Sequence, residues 1–137
     1  GLAIGAAYQG SISAIEIQSS RTVWRQDSSI FQDFISYRGD IFSVDEFDEI
    51  FSHRIVNGDL EWKNSELKYR ELSKPIRYKD YLVVGDLEGF IHFVDLKTGN
   101  LVGRTQPTKN KLVSLFSKDS FLFGVDSKGA SFLLSVK

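Results

Sequence analysis

Residues 85–103 read GDLEGFIHFVDLKTGNLVG, and this stretch decides the fold. The run from Phe90 to Asp95 alternates between two sets of side chains, as expected for a strand whose successive residues point to opposite faces. Turn residues bound the run, with Gly89 before it and Gly99 after it. The stretch therefore predicts short antiparallel strands joined by tight turns.

The tetrapeptide at residues 97–100 has a second interpretation, a phosphate-binding loop, because glycine-rich backbone amides bind anions. The chain contains neither a GxGxxG nor a Gly-Lys-Ser/Thr pattern, and no helical period follows the turn. A hairpin turn accounts for each residue, since Asp95 and Thr98 can bond to the local backbone and Gly99 can supply a positive φ. The pattern favours a structural turn.

Self-comparison shows that the stretch is one of four similar segments. The copies begin at Ala6, Val44, Gly85 and Val125, so their spacing is close to the roughly 40–45 residues expected for one blade of a β-propeller. The glycines predicted to form turns in these copies are Gly10, Gly89, Gly99 and Gly129.

The phase of the repeat predicts an incomplete ring. The chain opens on the second strand of a unit, at Leu2–Ala7, and stops after the third strand of its last unit. We therefore expect an all-β fold, a partial β-propeller of about three and a half four-stranded antiparallel blades. The predicted blade pieces of this single domain are 1–27, 32–64, 74–106 and 111–137. We also expect the chain to be the C-terminal fragment of a larger propeller.

The composition excludes several classes of protein. The formal net charge is -1, so the chain lacks the basic excess of a nucleic-acid-binding protein. There is no cysteine, which rules out disulfides, thiolate metal sites and cysteine nucleophiles. No apolar run approaches the roughly 20 residues needed to span a bilayer. Composition alone names no partner.

The residues with catalytic or metal-binding chemistry do not form a recognisable site. His53 and His92 occupy alternate positions in equivalent strands, so we expect them on opposite faces. The acidic run VDEFDEIF lacks the glycine and spacing of a calcium loop. We interpret it as a solvated turn, with contact to a basic partner surface as the functional alternative. We predict no catalytic, cofactor-binding or metal-binding residue.

The strings AAYQGSISAIEIQSSRTVW and YLVVGDLEGFIHFVDLKTGNLVG resemble the pyrroloquinoline-quinone-type propeller repeat. More narrowly, the chain resembles the C-terminal part of the BamB family, the lipoprotein subunits of the bacterial outer-membrane β-barrel assembly machine. The resemblance implies an eight-bladed scaffold without cofactors, held by an N-terminal lipid at the periplasmic face of the outer membrane. It implies binding to the POTRA domains of BamA, to other subunits and to unfolded outer-membrane proteins. The lipidated part of the family is absent from this sequence, so membrane contact through a lipid lies outside the chain.

In the resembling repeats a tryptophan docks one blade on the next, and this sequence has Trp24 and Trp62 at that position. A large flat ring with one hydrogen-bond donor suits such a seam. The third copy has Gly103 instead, so we expect a different or looser seam there.

Two further expectations concern function. The connection SELKYREL contains Tyr69 and Arg70, residue types enriched at interface hot spots, and we predict a partner contact there. Packing of Leu67 and Leu72 against the blade is the structural alternative.

Open blade faces predict self-association of the chain. The alternative function is a fragment of a quinone-dependent dehydrogenase-like propeller enzyme, although the cysteine pair of those enzymes has no counterpart here.

Overall fold

The computed structural model describes residues 1–7, 10–27 and 31–136. In these ranges the chain forms strands joined by turns and no helix, so none meets the length and hydropathy that a membrane span requires. The strands are β1 (Leu2–Ala7), β2 (Ser11–Glu16), β3 (Arg21–Asp27), β4 (Phe31–Tyr37), β5 (Asp40–Asp45), β6 (Ile50–Arg54), β7 (Leu60–Asn64), β8 (Ile76–Tyr78), β9 (Tyr81–Gly85), β10 (Ile91–Asp95), β11 (Leu101–Thr105), β12 (Leu112–Lys118), β13 (Phe121–Asp126) and β14 (Ser131–Ser135).

The strands form four antiparallel sheets, each a meander in chain order. Sheet 1 contains β1–β3, sheet 2 contains β4–β7, sheet 3 contains β8–β11, and sheet 4 contains β12–β14. The two middle sheets have four strands, and the first and last have three. This architecture confirms the prediction of an all-β fold built from propeller-type sheets. The division into the blade pieces given above stays a prediction, as does the eight-bladed ring.

The chain divides into two compact units, one ending at Glu66 and the other beginning at Leu67. In the first unit, sheets 1 and 2 bury a core of Ile12, Ala14, Trp24, Ile41 and Phe51. In the second unit, sheets 3 and 4 bury a core of Tyr78, Val83, Ile91, Leu112, Leu115 and Leu122. In sheet 1 the core residues Ile12 and Ala14 alternate along β2, as expected for side chains on one face of a strand.

The last two strands of sheets 1, 2 and 3 share one irregularity. Each pair contains a β-bulge, with one extra residue in the last strand. The residue next to the bulge pairs with the preceding strand, and the three pairs are Ala14 with Trp24, Ser52 with Trp62, and Phe93 with Gly103. The register therefore places Gly103 at the position that tryptophan occupies in the other two sheets.

Four of the turns reverse the chain through a residue with positive φ at the same place in the repeat. These residues are Gly10 (φ 87°), Asp48 (φ 63°), Gly89 (φ 86°) and Gly129 (φ 82°), and Gly99 (φ 76°) does the same in a later turn. At Gly89 the reason for glycine is also steric, because an added Cβ would collide with the backbone carbonyl of Thr108.

Candidate functional site

A buried aspartate follows or ends the second strand of sheets 2, 3 and 4. In each case Oδ1 accepts hydrogen bonds from the backbone N–H groups two and four residues later, at 2.9 to 3.0 Å. The three residues are Asp45, Asp86 and Asp126, and each is at most 2% exposed. The carboxylate therefore holds the turn closed from inside.

Sequence reasoning did not identify these aspartates as a set. The signal for them was present, because they occupy one position in three copies of the repeat, whereas the first copy has Ala7 there. The prediction that the acidic run around Asp45 is a solvated turn was wrong for three of its four carboxylates, since only Glu46 is exposed. Asp45, Asp48 and Glu49 are all buried, and Glu49 binds Lys63 Nζ at 2.9 Å and the Ser65 hydroxyl at 2.6 Å. These carboxylates stabilise their own turn and strand, so they are not an open surface for a basic partner.

The second carboxylate oxygen has a different partner in each turn. Asp86 Oδ2 lies 2.7 Å from both Arg70 Nε and His92 Nε2. Burial alone would raise the pKa of Asp86, but hydrogen bonds from His92 and Arg70 and from two backbone N–H groups bring it below the ordinary value. Asp86 is therefore an ionised, buried anchor for Arg70.

In sheet 4 the second carboxylate oxygen is bound by neutral hydrogen-bond donors instead of a cation. Asp126 Oδ2 accepts hydrogen bonds from Thr108 Oγ1 at 2.7 Å and Asn110 Nδ2 at 3.1 Å. These two bonds, opposed by desolvation and aided by the turn N–H groups, lower the pKa of Asp126 to about 2. In sheet 2, Asp45 Oδ2 accepts no hydrogen bond from any residue that the structure describes.

The connection that precedes β8 is tied to the Asp86 turn. Arg70 pairs with Asp86 through its side chain, and its carbonyl accepts the N–H of Leu87 at 2.9 Å. Ser73 and Gly85 exchange hydrogen bonds of 2.8 Å, one through the Ser73 hydroxyl and one through its N–H. Leu67 is buried beneath the connection. The segment is therefore a loop of fixed shape.

Tyr69 and Arg70, the predicted contact residues, have different environments in this loop. Tyr69 is 67% exposed, and both Tyr69 and Glu71 have positive φ, at 61° and 51°. Non-glycine residues in this conformation are strained, and such strain persists only where the surroundings impose it. The Arg70 side chain is 26% exposed because it turns inward to Asp86. The geometry thus presents Tyr69 to solvent and uses Arg70 to hold the loop.

The two tryptophans both lie on the last strand of a sheet, Trp24 on β3 and Trp62 on β7. Trp24 donates its indole N–H to the carbonyl of Ile55 at 2.6 Å, and its ring lies against Gly58, where an added Cβ would come within 2.6 Å of it. Ile55 and Gly58 belong to the β6–β7 hairpin, so Trp24 joins sheet 1 to sheet 2. Trp62 is half-buried and tilts against Phe42 of its own sheet, with ring centroids 5.9 Å apart. Its role in docking to a following blade stays a prediction.

The prediction that the two histidines lie on opposite faces was wrong. The register makes His53 equivalent to Val94, two residues after His92, so both histidines lie on the same face of equivalent strands. His53 pairs with Ile41 across sheet 2 and stacks on Phe51, whereas His92 binds Asp86 in sheet 3. Burial lowers the pKa of His53. Among the described residues, no three histidine or acidic side chains are grouped as a metal site would require.

The turn at residues 95–100 is held by its own side chains. Asp95 Oδ1 accepts hydrogen bonds from the N–H groups of Lys97 and Thr98, at 2.8 and 2.9 Å. The Thr98 hydroxyl in turn accepts the N–H of Asn100 at 3.3 Å. The backbone donors that an anion would need are therefore used within the turn.

Comparison with known proteins places these features in a family. The chain is 41% identical over 108 residues to the outer membrane protein assembly factor BamB of Shewanella oneidensis, a match that covers 79% of this chain and 27% of that protein. It is 32% identical over 125 residues to BamB of Francisella tularensis, covering 91% of this chain and 26% of that protein. No protein-family model matches.

The crystal structure of BamB from Moraxella catarrhalis has the same fold, with a TM-score of 0.85 and 22% sequence identity over 97% of this chain and 40% of that chain. The fold class is thus a partial β-propeller, as the repeat predicted. The chain spans about a quarter of the length of the two curated relatives above. Its sequence likeness to them confirms the predicted resemblance: the chain belongs to the BamB family.

Proposed function

We propose that this chain is part of a non-catalytic protein-interaction scaffold that serves outer-membrane protein assembly. The observation that carries the proposal is the 41% identity, over 108 residues, to a protein named as an outer membrane protein assembly factor. The described architecture supports it, because rigid sheets hold turns and connections at fixed positions. The scaffold would act at the periplasmic face of the outer membrane.

The finer part of the proposal concerns the partner. We propose that the parent protein binds the periplasmic POTRA domains of BamA and helps to insert β-barrel proteins. Within this chain, Tyr69 supplies one contact, since it is a large aromatic side chain on a loop whose shape is already fixed. A fixed loop loses little conformational entropy on binding, and an exposed tyrosine contributes area and one polar group.

The test is the affinity of the full-length parent protein for purified BamA periplasmic domains, measured by biolayer interferometry. We expect Tyr69→Ala to weaken binding by about tenfold, as for an interface anchor. Phe47→Ala is the matched control, since Phe47 is an exposed aromatic residue on a different turn. No binding by the unmodified parent would contradict the assignment to BamA. Equal binding by Tyr69→Ala and the parent would remove Tyr69 from the interface.

The same proposal includes self-association of the isolated chain through the outer face of sheet 4. Phe116, Phe123 and Leu133 lie in one row across this sheet, and the two phenylalanine rings stack with centroids 6.2 Å apart. Phe116 is 51% and Leu133 is 56% exposed. Removal of this apolar row from water favours association of two copies.

A further inference from the structure

The position of Gly103 defines a groove in the second unit. Trp24, Trp62 and Gly103 occupy one register position, each directly after the bulge in the last strand of its sheet. An added Cβ at Gly103 would meet no atom within 4 Å. The chain therefore leaves open space at a position where its other two copies place an indole.

Two aromatic rings form part of the walls around this space. The groove has a volume of about 320 Å³, and its lining residues are Tyr81, Phe93, Val102, Gly103, Arg104 and Val136. Tyr81 and Phe93 meet edge to face, with centroids 6.2 Å apart. The Arg104 guanidinium lies over the ring of Phe90, 4.5 Å from its centroid, and Arg104 pairs with His92 on the opposite face of the sheet. Two aromatic rings and two valines therefore form the apolar part of the lining.

The groove is continuous with the packed interface between sheets 3 and 4. Tyr81, Phe93 and Val136 are partly buried against the core of the second unit. A group inserted at Gly103 would extend this interface in the way that the Trp24 ring extends the core between sheets 1 and 2. The same packing rules then favour a flat ring over a branched aliphatic chain.

Sheet 4 also has a hydrogen-bond acceptor at the position that corresponds to Ile55 in sheet 2. Trp24 donates to the carbonyl of Ile55, the residue directly after the third strand of sheet 2. Val136 directly follows the third strand of sheet 4, and its carbonyl lies 3.4 Å from the Tyr78 hydroxyl, a long hydrogen bond. A carbonyl oxygen has two lone pairs, so it retains capacity for an indole N–H.

We infer that the groove at Gly103 is a binding site for an aromatic side chain, above all an indole, presented by a segment of a partner protein. The inserted ring takes the place that Trp24 fills within the first unit, packs on Tyr81 and Phe93, and donates its N–H to the carbonyl of Val136. The inference does not depend on the proposed assembly role, because its test uses tryptophan probes and no assembly component.

The test is a titration of the full chain with N-acetyltryptophanamide and, separately, with N-acetylleucinamide, followed by amide chemical shifts in NMR spectra. We expect the tryptophan probe to shift the signals of Phe93, Val102, Gly103 and Val136. It should bind about threefold or more tightly than the leucine probe, because aromatic pairs gain beyond the area they bury. Equal affinity for the two probes, or no shifts at these residues with the tryptophan probe, would overturn the inference.

Variants at Gly103 provide an independent check that does not rely on a weak probe. Gly103→Trp should fill the groove from within, raise the melting temperature, show the blue-shifted fluorescence of a buried indole, and weaken probe binding by about tenfold or more. Gly103→Ala is the matched control, since its methyl group has room, and it should keep probe binding. A lower melting temperature for Gly103→Trp with a solvent-exposed indole would show that the walls do not fit the ring and would refute the site.

Discussion

The indole N–H of Trp24 and the carbonyl of Ile55, 31 residues apart in the chain, form a hydrogen bond of 2.6 Å. The bond joins the last strand of sheet 1 to the hairpin between β6 and β7. Gly58 of the same hairpin lies under the ring. A single aromatic residue thus provides both packing and a polar contact between two neighbouring sheets.

This relationship makes Gly58 and Gly39 a matched pair for mutation. Both have left-handed φ, at 77° and 83°, but a Cβ at Gly39 meets nothing within 4 Å, whereas a Cβ at Gly58 meets the Trp24 ring. We expect Gly39→Ala to cost about 1 kcal/mol in unfolding free energy for its backbone conformation. Gly58→Ala should cost about 1–3 kcal/mol more for overpacking. Urea denaturation measures both, and equal losses would contradict the Trp24 contact.

Variants at Arg70 and Tyr69 should distinguish the stability of the loop from its binding to a partner. Arg70→Met removes one donor from a fully buried carboxylate that still has His92, so we expect a loss of about 1–3 kcal/mol in unfolding free energy. Tyr69→Ala should change stability by less than about 0.5 kcal/mol, because Tyr69 is exposed. Thermal and urea unfolding of the two variants test this. A large stability loss for Tyr69→Ala would show that its effect on binding is indirect.

The sequence predicted the strands and the repeat, because local alternation and turn residues encode them. It did not predict the Arg70 and Asp86 pair, since nothing local links a connecting loop to an aspartate 16 residues later. It also misjudged Asp45 and Glu49. A run of acidic residues is usually solvated, but here the turn folds back so that its own N–H groups bind Asp45 Oδ1 and Lys63 binds Glu49.

Self-association through sheet 4 should respond to one charge. Leu133 lies on β14, the edge strand of a three-stranded sheet, and Leu133→Lys places a cation beside Phe123. Edge charges of this kind prevent sheets from associating. We expect sedimentation velocity to show a shift toward monomer, with a fall in the association constant of about tenfold or more.

The control for this change is Leu60→Lys, because Leu60 is 55% exposed, close to the 56% of Leu133, but lies on sheet 2. It should leave the association constant as it is. An unmodified chain that sediments as a monomer at high concentration would contradict the proposed self-association. If both lysine variants reduce association equally, net charge and not the sheet 4 face is responsible.

The pKa of Asp126 leads to a prediction about acid stability. Its folded-state pKa of about 2 lies below the ordinary aspartate value of about 4, because Thr108 and Asn110 bond to the ionised form. A lowered folded pKa means that the ionised carboxylate stabilises the fold above about pH 4, and that this contribution disappears as the pH falls toward about 2. The stability difference between the unmodified chain and Asp126→Asn should therefore be constant above about pH 4 and shrink below it.

Urea unfolding at several pH values measures the stability difference. The NMR shift of the Asp126 carboxyl carbon, followed over the same pH range, measures the pKa. Thr108→Val removes one hydroxyl donor from Asp126 Oδ2 and nearly preserves the side-chain volume. It should raise the Asp126 pKa toward the ordinary value. The pH range over which Asp126→Asn changes the unfolding free energy by a varying amount should then become narrower. If the carboxyl titrates at the same pH with and without the Thr108 hydroxyl, then the turn N–H groups and Asn110 alone account for the low pKa, and the role assigned to Thr108 is wrong.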